Sequence, residues 1–359
     1  MENSKNRDES IDCAKGIAIF FIVIQHAVTN QPDLTNISQL YILRFITQFT
    51  MPTFFLINGY LYNEKYSQKP IWGIYTKFKA YYIPFLKYNL AYLLLHNLFA
   101  YLHLVDEVNG NAAYDLKDFI KHFILAITGH REYFSGALWF LGSILTISAI
   151  FIISDFFALK IKNGRWVLLS IVAIVVMLAG MSGYVPSAMK LSTSCLYYLV
   201  FYVGFLFKKF NILEKFDSIR IGFVVVIFIF EIFICLNSNI GITRTMKFQW
   251  LYYLTGIMGA MMILQFCRIS TIKNFKLLNY IGKSSMEIMA LHFLTFKVVS
   301  LVAVKYYGLP VERMADYPVL MEVDGAWWIL YAIVGVSLPT IYKYFIDKVK
   351  TKGSFLWAK

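Results

Sequence analysis

The first apolar segment of the chain, residues 11–29, carries ionisable side chains that could do chemistry inside a membrane. Asp12 and Lys15 lie near its start, and His26 lies toward its end. Ionisable groups cost free energy in hydrocarbon, so their presence there indicates a function. Lys15 and His26 are 11 residues apart, which places them within ~20° of one helix face and roughly 16 Å apart along the axis. One face therefore presents a cation and, about half a bilayer away, an imidazole.

His26 is a candidate catalytic residue for acyl transfer, because neutral imidazole can take a proton from a hydroxyl group or be acylated itself. Asp12 is the second catalytic candidate in this segment. Lys15 is interpreted as a cofactor-binding residue that faces a phosphate group, with Asp12 positioning it. Two structural alternatives stay open: His26 could bond a neighbouring helix, and Asp12 could pair with Lys15 three residues later.

The next polar groups lie around the two apolar segments that follow. Lys77 and Lys79 precede an aromatic pair. They could form a basic cradle for the phosphates of a nucleotide-type cofactor, or anchor the segment at the membrane surface. Asn58 interrupts an aromatic-rich segment, and its buried amide needs a partner, for which the first helix is a candidate. We assign Lys77 and Lys79 to cofactor binding and Asn58 to substrate binding.

His130, Arg131 and Trp139 fall in a polar stretch that runs directly into an apolar segment. An aromatic ring beside polar groups suits a sugar, whose faces are apolar and whose edges form hydrogen bonds. The alternative is a solvated loop followed by an interfacial tryptophan.

Glu287, His292 and Lys297 all lie at membrane depth in one apolar segment. Successive members are five residues apart, so they point ~140° apart on an ideal helix and cannot form a triad on one face. Three ionisable groups in one span are hard to explain structurally. We assign all three to substrate binding, with different partners or a broad cavity.

The elements that must position these residues are membrane helices. Hydrophobic residues make up 58% of the 359 residues and charged residues only 15%, whereas a soluble domain has about 25% charged residues. The sequence predicts an all-α polytopic membrane protein with about ten transmembrane helices. The predicted spans are 11–30, 42–62, 80–104, 137–158, 166–183, 191–207, 221–236, 248–266, 281–304 and 326–345.

The net charge of +13 is a topology signal. Lysines and arginines outside the spans are more than twice as numerous on the side that holds the N-terminus, which predicts both termini in the cytoplasm. The excess also attracts anionic headgroups of the lipid bilayer, and it does not indicate nucleic-acid binding. The four cysteines have no metal-type spacing, so no metal is expected.

The domain organisation predicted is a single membrane-embedded domain over residues 1–359, with no soluble domain. The longest loop lies on the outer side, and residues 116–128 within it place lysines among apolar residues at helical spacing. This pattern predicts an interfacial helix lying on the membrane.

Four segments in this order resemble the integral-membrane acyltransferase-three family, within it the fucose-O-acetylase-like branch. They are DCAKGIAIFFIVIQH (residues 12–26), MPTFFLINGYLY (51–62), ALWFL (137–141) and YIGKSSMEIMALHFLTFK (280–297). The resemblance implies a multi-pass protein of a bacterial inner or plasma membrane. It also implies transfer of an acetyl group from cytoplasmic acetyl-CoA, as co-substrate, to a hydroxyl of a sugar or cell-envelope glycan, which could be lipid-linked.

The resemblance also implies roles for individual residues. His26 takes the place of the essential histidine of the first helix, and Lys15 that of a basic residue 11 positions earlier. Lys77 matches the first of two arginines before the third helix, and the second position is Ala80 with Lys79 beside it. Lysine does not reproduce the bidentate geometry of arginine.

The alternative function is a transporter or flippase of a lipid-linked saccharide. It would use the same buried His, Glu and Lys residues as proton relay or substrate contacts. The two functions differ in one observable property, because only the acyltransferase consumes acetyl-CoA.

Overall fold

The structure, a computed structural model, describes residues 8–28, 37–106, 112–186, 190–238, 249–321 and 325–356. These ranges are mostly helical and contain no strand, as expected in lipid, where backbone polar groups must be satisfied internally. The all-α prediction is confirmed. The α-helices are α1 Glu9–Val28, α2 Ile37–Thr47, α3 Thr50–Tyr60, α4 Lys65–Gln68, α5 Pro70–Leu94, α6 His96–Tyr101, α7 Leu116–Ile127, α8 Trp139–Ala158, α9 Arg165–Met181, α10 Leu191–Lys209, α11 Arg220–Asn237, α12 Gln249–Cys267, α13 Ser270–Lys273, α14 Lys276–Lys283, α15 Ser285–Tyr307 and α16 Trp327–Leu356.

Within the described residues, eight helical segments are long and apolar enough to cross a membrane. They coincide with eight of the predicted spans, which confirms a polytopic membrane protein. The fifth predicted span forms α9, an apolar helix of 17 residues. We name the two faces of the molecule cytoplasmic and outer, by the orientation that the basic residues predict.

Two predicted spans differ in outline from the observed helices. The third is not among the eight segments. Its helix, α5, begins earlier than predicted, at Pro70, because a proline is well placed at the start of a helix, and it ends at Leu94. Lys77 and Lys79 therefore lie inside α5 and not in a preceding loop. The second span contains a turn at Gln48 and Phe49, because Pro52 lacks the N–H that would bond the carbonyl of Gln48 in a continuous helix.

The segment predicted as an interfacial helix folds as α7. The side chain of Asp115 caps its start by accepting a hydrogen bond from the N–H of Asp118 at 2.8 Å. Leu116, Ile120 and Ile124 leave more than half of their surfaces exposed, so one face of α7 offers apolar surface.

Helix α1 is the central element of the fold. Its buried residues contribute to three separate apolar clusters. It crosses α14 where two glycines meet: a Cβ on Gly282 would lie 1.8 Å from the carbonyl oxygen of Asp12, and one on Gly16 would lie 2.4 Å from that of Leu278. Small residues at such a crossing let two backbones approach closely in a membrane.

We expect Gly282→Ala to destabilise the protein by about 1–3 kcal/mol, because the added methyl group must push α14 away from α1. Gly222→Ala is the matched control, since a Cβ there meets nothing within 4 Å. Thermal unfolding of both purified variants in detergent measures the difference. Equal melting temperatures for the two variants would disprove the close crossing.

An ion-pair network joins three helices at the cytoplasmic face. Arg165 donates to both carboxylate oxygens of Asp155, at 2.8 and 3.0 Å, and Asp155 is fully buried. Arg165 and Lys209 also bind Glu64, at 3.4 and 2.8 Å. Partial burial alone would raise the pKa of the Glu64 carboxyl, but the hydrogen bond from Lys209 and the charge of Arg165 hold that pKa below its usual value.

Candidate active site

The fold brings His26 of α1 against His292 of α15. The two imidazole rings stack with 5.3 Å between centroids and an interplanar angle of 25°. Phe293 contacts both rings, at 4.9 Å from His26 and 4.0 Å from His292. Gly16 and Gly282 lie at the crossing of α1 and α14. His26 follows Gly16 by ten residues, and His292 follows Gly282 by ten residues. The close crossing therefore sets the two imidazoles at the same depth.

The hydrogen bonding of the two imidazoles differs. Nδ1 of His292 lies 2.8 Å from the carbonyl oxygen of Ile288, and because a carbonyl only accepts, Nδ1 is the donor. Nε2 of His292 is then an acceptor that carries no proton. It is sealed from solvent, and within the described part of the chain it has no hydrogen-bond partner. His26 is half-buried, and neither of its ring nitrogens forms a hydrogen bond with another residue that the structure describes.

Asp12 and Lys15 lie at the opposite end of α1. Asp12 is buried and sits at the crossing with Gly282, and Lys15 is half-buried one turn later. Fourteen residues separate Asp12 from His26, about 21 Å along a helix. The structure thus does not bring Asp12 to the imidazoles, and any part that it plays belongs to the cytoplasmic end.

Lys77 and Lys79, the two candidate lysines of α5, lie in different surroundings. Nζ of Lys77 lies 4.8 Å from the ring centre of Tyr66 and 5.6 Å from that of Tyr81, whereas Lys79 is exposed and lies 4.7 Å from the ring of Tyr75. The hydroxyl of Tyr81 donates to Oδ1 of Asn58 at 2.8 Å. Asn58, predicted on the acceptor side, is thus connected to Lys77.

Sequence reasoning missed Tyr66 and Tyr81, although the four-residue spacing of Lys77 and Tyr81 is a signal for contact on a helix. It also missed Lys208, whose Nζ lies 5.1 Å from the ring centre of Tyr60. Both contacts add aromatic surface and positive charge at the cytoplasmic end.

The backbone around His130 and Arg131, the candidates on the outer side, is held by two hydrogen bonds that the sequence did not reveal. Asn89 donates to the carbonyl oxygen of His130 at 2.7 Å and accepts from the N–H of Glu132 at 2.9 Å. His130 and Arg131 are exposed between these two bonds, and Arg131 donates to the carbonyl oxygen of Gly136 at 2.9 Å. Trp139 follows as the first residue of α8 and is half-buried against the core.

The three candidate residues of α15 have three different partners, as their spacing indicates. Glu287 lies 3.5 Å from Nζ of Lys343 on α16. His292 stacks on His26, and buried Lys297 donates to the carbonyl oxygen of Asp316. Of these three residues, only His292 contacts His26.

Residues 309–321, which we call the outer strap, pack against Phe293 next to the histidine pair. The ring of Tyr317 contacts Phe293 at 4.8 Å and Tyr133 at 4.9 Å. The hydroxyl of Tyr133 in turn donates to the carbonyl oxygen of Ala315 at 2.6 Å. Burial raises the pKa of Tyr317 well above its usual value, so its phenol stays neutral.

The fold and the site define a class: a polytopic membrane protein whose helices enclose a polar site with paired imidazoles. Among the described residues, no group of three or more His, Cys, Asp or Glu side chains is placed to hold a metal ion. The family model described as an acyltransferase domain, acyltransferase-3, matches residues 8–344. The chain therefore belongs to the acyltransferase-3 family. Searches of curated proteins and of solved structures give no match.

Proposed function

We propose that the protein is an O-acyltransferase that moves an acetyl group from cytoplasmic acetyl-CoA to a hydroxyl of a sugar or cell-envelope glycan, in a bacterial inner or plasma membrane. Membership of the acyltransferase-3 family gives the reaction class. The observation that carries the proposal is the stacked imidazole pair toward the outer end of α1. Imidazole is the side chain whose proton exchange best matches neutral pH.

The donor site is at the cytoplasmic end. Lys15, Lys77 and Lys79 supply positive charge for the phosphates of acetyl-CoA, and Asp12 lies beside Lys15 at the start of α1. The exposed aromatic ring of Tyr75 adds a surface on which an adenine base can stack. The pantetheine arm then runs along α1 over the roughly 16 Å that separate Lys15 from His26.

The acceptor site is at the outer end. His130 and Arg131 expose polar side chains there, and Trp139 and Tyr317 offer aromatic faces to a sugar ring. The resemblance to the fucose-O-acetylase-like branch favours a sugar as acceptor. One imidazole of the stacked pair takes the proton of the acceptor hydroxyl, and His26 contacts the thioester directly.

The test is release of free CoA from acetyl-CoA by the purified protein in nanodiscs, with and without a mixed glycan extract. We expect release that the extract stimulates, with acetyl groups appearing on the glycan. Movement of glycan across the membrane without thioester turnover would instead favour the transporter function.

Replacing Lys15 is expected to weaken donor binding. Lys15→Ala should raise the KM for acetyl-CoA by about 10-fold or more, because it removes one charged partner of a phosphate group. The kcat should change little, since Lys15 lies far from the thioester. Initial rates over a range of acetyl-CoA concentrations give both constants.

Lys305→Ala is the matched control for this prediction. It removes the same charge from an exposed position near the outer end of α15, and its KM should stay at the wild-type value. An unchanged KM in the Lys15 variant would remove Lys15 from the donor site.

A further inference from the structure

We propose that His292, which the sequence places with substrate binding, is the base that takes the proton from the acceptor hydroxyl. This assignment rests on the acyl-transfer function proposed above and gives its proton transfer to one atom, Nε2 of His292. Three features of the structure lead to that atom: a fixed tautomer, an unmet hydrogen bond and the stacking of the rings.

The tautomer of His292 is fixed by its own helix. Its Nδ1 donates to the carbonyl oxygen of Ile288, one turn earlier. In the neutral ring Nε2 therefore carries a lone pair and no proton. A base must present a lone pair, and His292 holds its lone pair in that state before any substrate arrives.

The same Nε2 is an acceptor without a donor. The side chain of His292 is fully buried, and Nε2 is sealed from solvent and forms no hydrogen bond with a residue that the structure describes. A buried polar atom without a partner costs free energy, so such atoms in native proteins call for a functional explanation. An acceptor hydroxyl would supply the missing donor at the moment it binds.

The stacking of the rings excludes a relay between the two histidines. The N–H bonds and lone pairs of an imidazole lie in the plane of its ring, and the rings of His26 and His292 are stacked. His26 therefore cannot donate in-plane to Nε2 of His292. In-plane hydrogen bonds of His26 and of Nε2 of His292 must therefore go to a third molecule that enters beside the pair.

The other ionisable groups at membrane depth in α15 are engaged elsewhere. Glu287 is paired with Lys343, and Lys297 is bonded to the outer strap through the carbonyl oxygen of Asp316. His26 forms no hydrogen bond with a described residue that would fix its tautomer, so either nitrogen can carry its proton.

The step balances with both histidines neutral at its start and end. Nε2 of His292 takes the hydroxyl proton while the acceptor oxygen forms a bond to the thioester carbon. An N–H of His26 donates to the carbonyl oxygen as that oxygen gains negative charge. The C–S bond then breaks, and the imidazolium of His292 returns the proton to the sulfur. The products are the acetyl ester and free CoA.

The experiment compares two nucleophiles in the wild type, His292→Gln and His26→Ala. Hydroxylamine attacks a thioester through its uncharged nitrogen and needs no base to remove a proton first. Glutamine retains hydrogen-bonding capacity at position 292 but cannot take a proton, and alanine at position 26 removes the N–H donor. With acetyl-CoA and the mixed glycan extract, His292→Gln should lose transfer by about 100-fold or more. With hydroxylamine it should release CoA near the wild-type rate, whereas His26→Ala should lose both reactions.

Two results would overturn the assignment: near-normal transfer to the glycan extract by His292→Gln, or equal loss of both reactions. If the wild type itself releases no CoA with either nucleophile, the proposed function fails, and the assignment fails with it. If His292→Gln does not fold, a measurement on the wild type tests the assignment. A solvent deuterium isotope effect with the glycan extract and none with hydroxylamine supports the base, and the same effect with both contradicts it.

Discussion

The His26→Ala variant is expected to lose acetyl transfer by at least about 100-fold while folding normally, the range typical for removal of one donor to a developing oxyanion. The substitution removes the ring that stacks on His292 and the N–H that we propose donates to the thioester oxygen. His26 is half-buried and forms no hydrogen bond with a described residue, so the fold does not depend on it. Initial rates of CoA release with the glycan extract measure the loss.

Phe20→Ala is the control for this variant, because Phe20 also lies on α1 but faces outward. It truncates a large side chain without touching the imidazole site, and it should keep its activity. Both variants should melt close to the wild type. Retained transfer in His26→Ala would refute the proposed mechanism, and loss of activity in Phe20→Ala would show that α1 tolerates no truncation.

Arg165→Gln should destabilise the protein by about 3–5 kcal/mol, because it leaves the fully buried carboxylate of Asp155 without its charged partner. Glutamine cannot reproduce the two parallel hydrogen bonds of the guanidinium group. Reversible unfolding in mixed micelles, or the melting temperature in detergent, measures the change. Catalysis by the variant protein that remains folded should be unaffected, since Arg165 lies far from the imidazole site.

Two further variants separate this effect from a general loss of positive charge. Lys162→Gln removes the same charge from an exposed position in the loop before α9 and should be nearly neutral, as exposed charges usually are. Adding Asp155→Asn to Arg165→Gln removes the unpaired charge and should restore much of the stability. Equal stability of the Arg165 and Lys162 variants would show that the buried pair contributes little.

Much of the fold is predictable from the sequence because lipid allows few alternatives. A long apolar segment in a bilayer must be a helix or part of a closed barrel, and segments of about 20 residues at 3.6-residue periodicity predict helices. Two of the differences arise at prolines: Pro70 starts α5 early, and Pro52 divides the second predicted span. Both follow from the missing N–H of proline, which hydropathy does not register.

The sequence also identified His26 and His292 as residues worth explaining, because ionisable groups are rare in apolar segments. It could not pair them. Helical periodicity gives the face on which a side chain lies, but not the helix that this face meets. Asn58 illustrates the limit: the first helix was the candidate partner of its amide, but the hydroxyl of Tyr81 on α5 donates to its Oδ1.

By itself, then, the sequence determined the helices, the charge asymmetry between the two faces and the short set of ionisable residues inside the apolar segments. Only the tertiary structure decided which of these residues meet. The contact between Gly16 and Gly282 sets the depth of α1 against α14, and that depth brings the two imidazoles together. Lys297 and Glu287 are directed elsewhere by the outer strap and by α16. The physical reason is that the approach of two backbones and the packing between segments distant in the chain decide which residues become neighbours. No local sequence pattern encodes that packing.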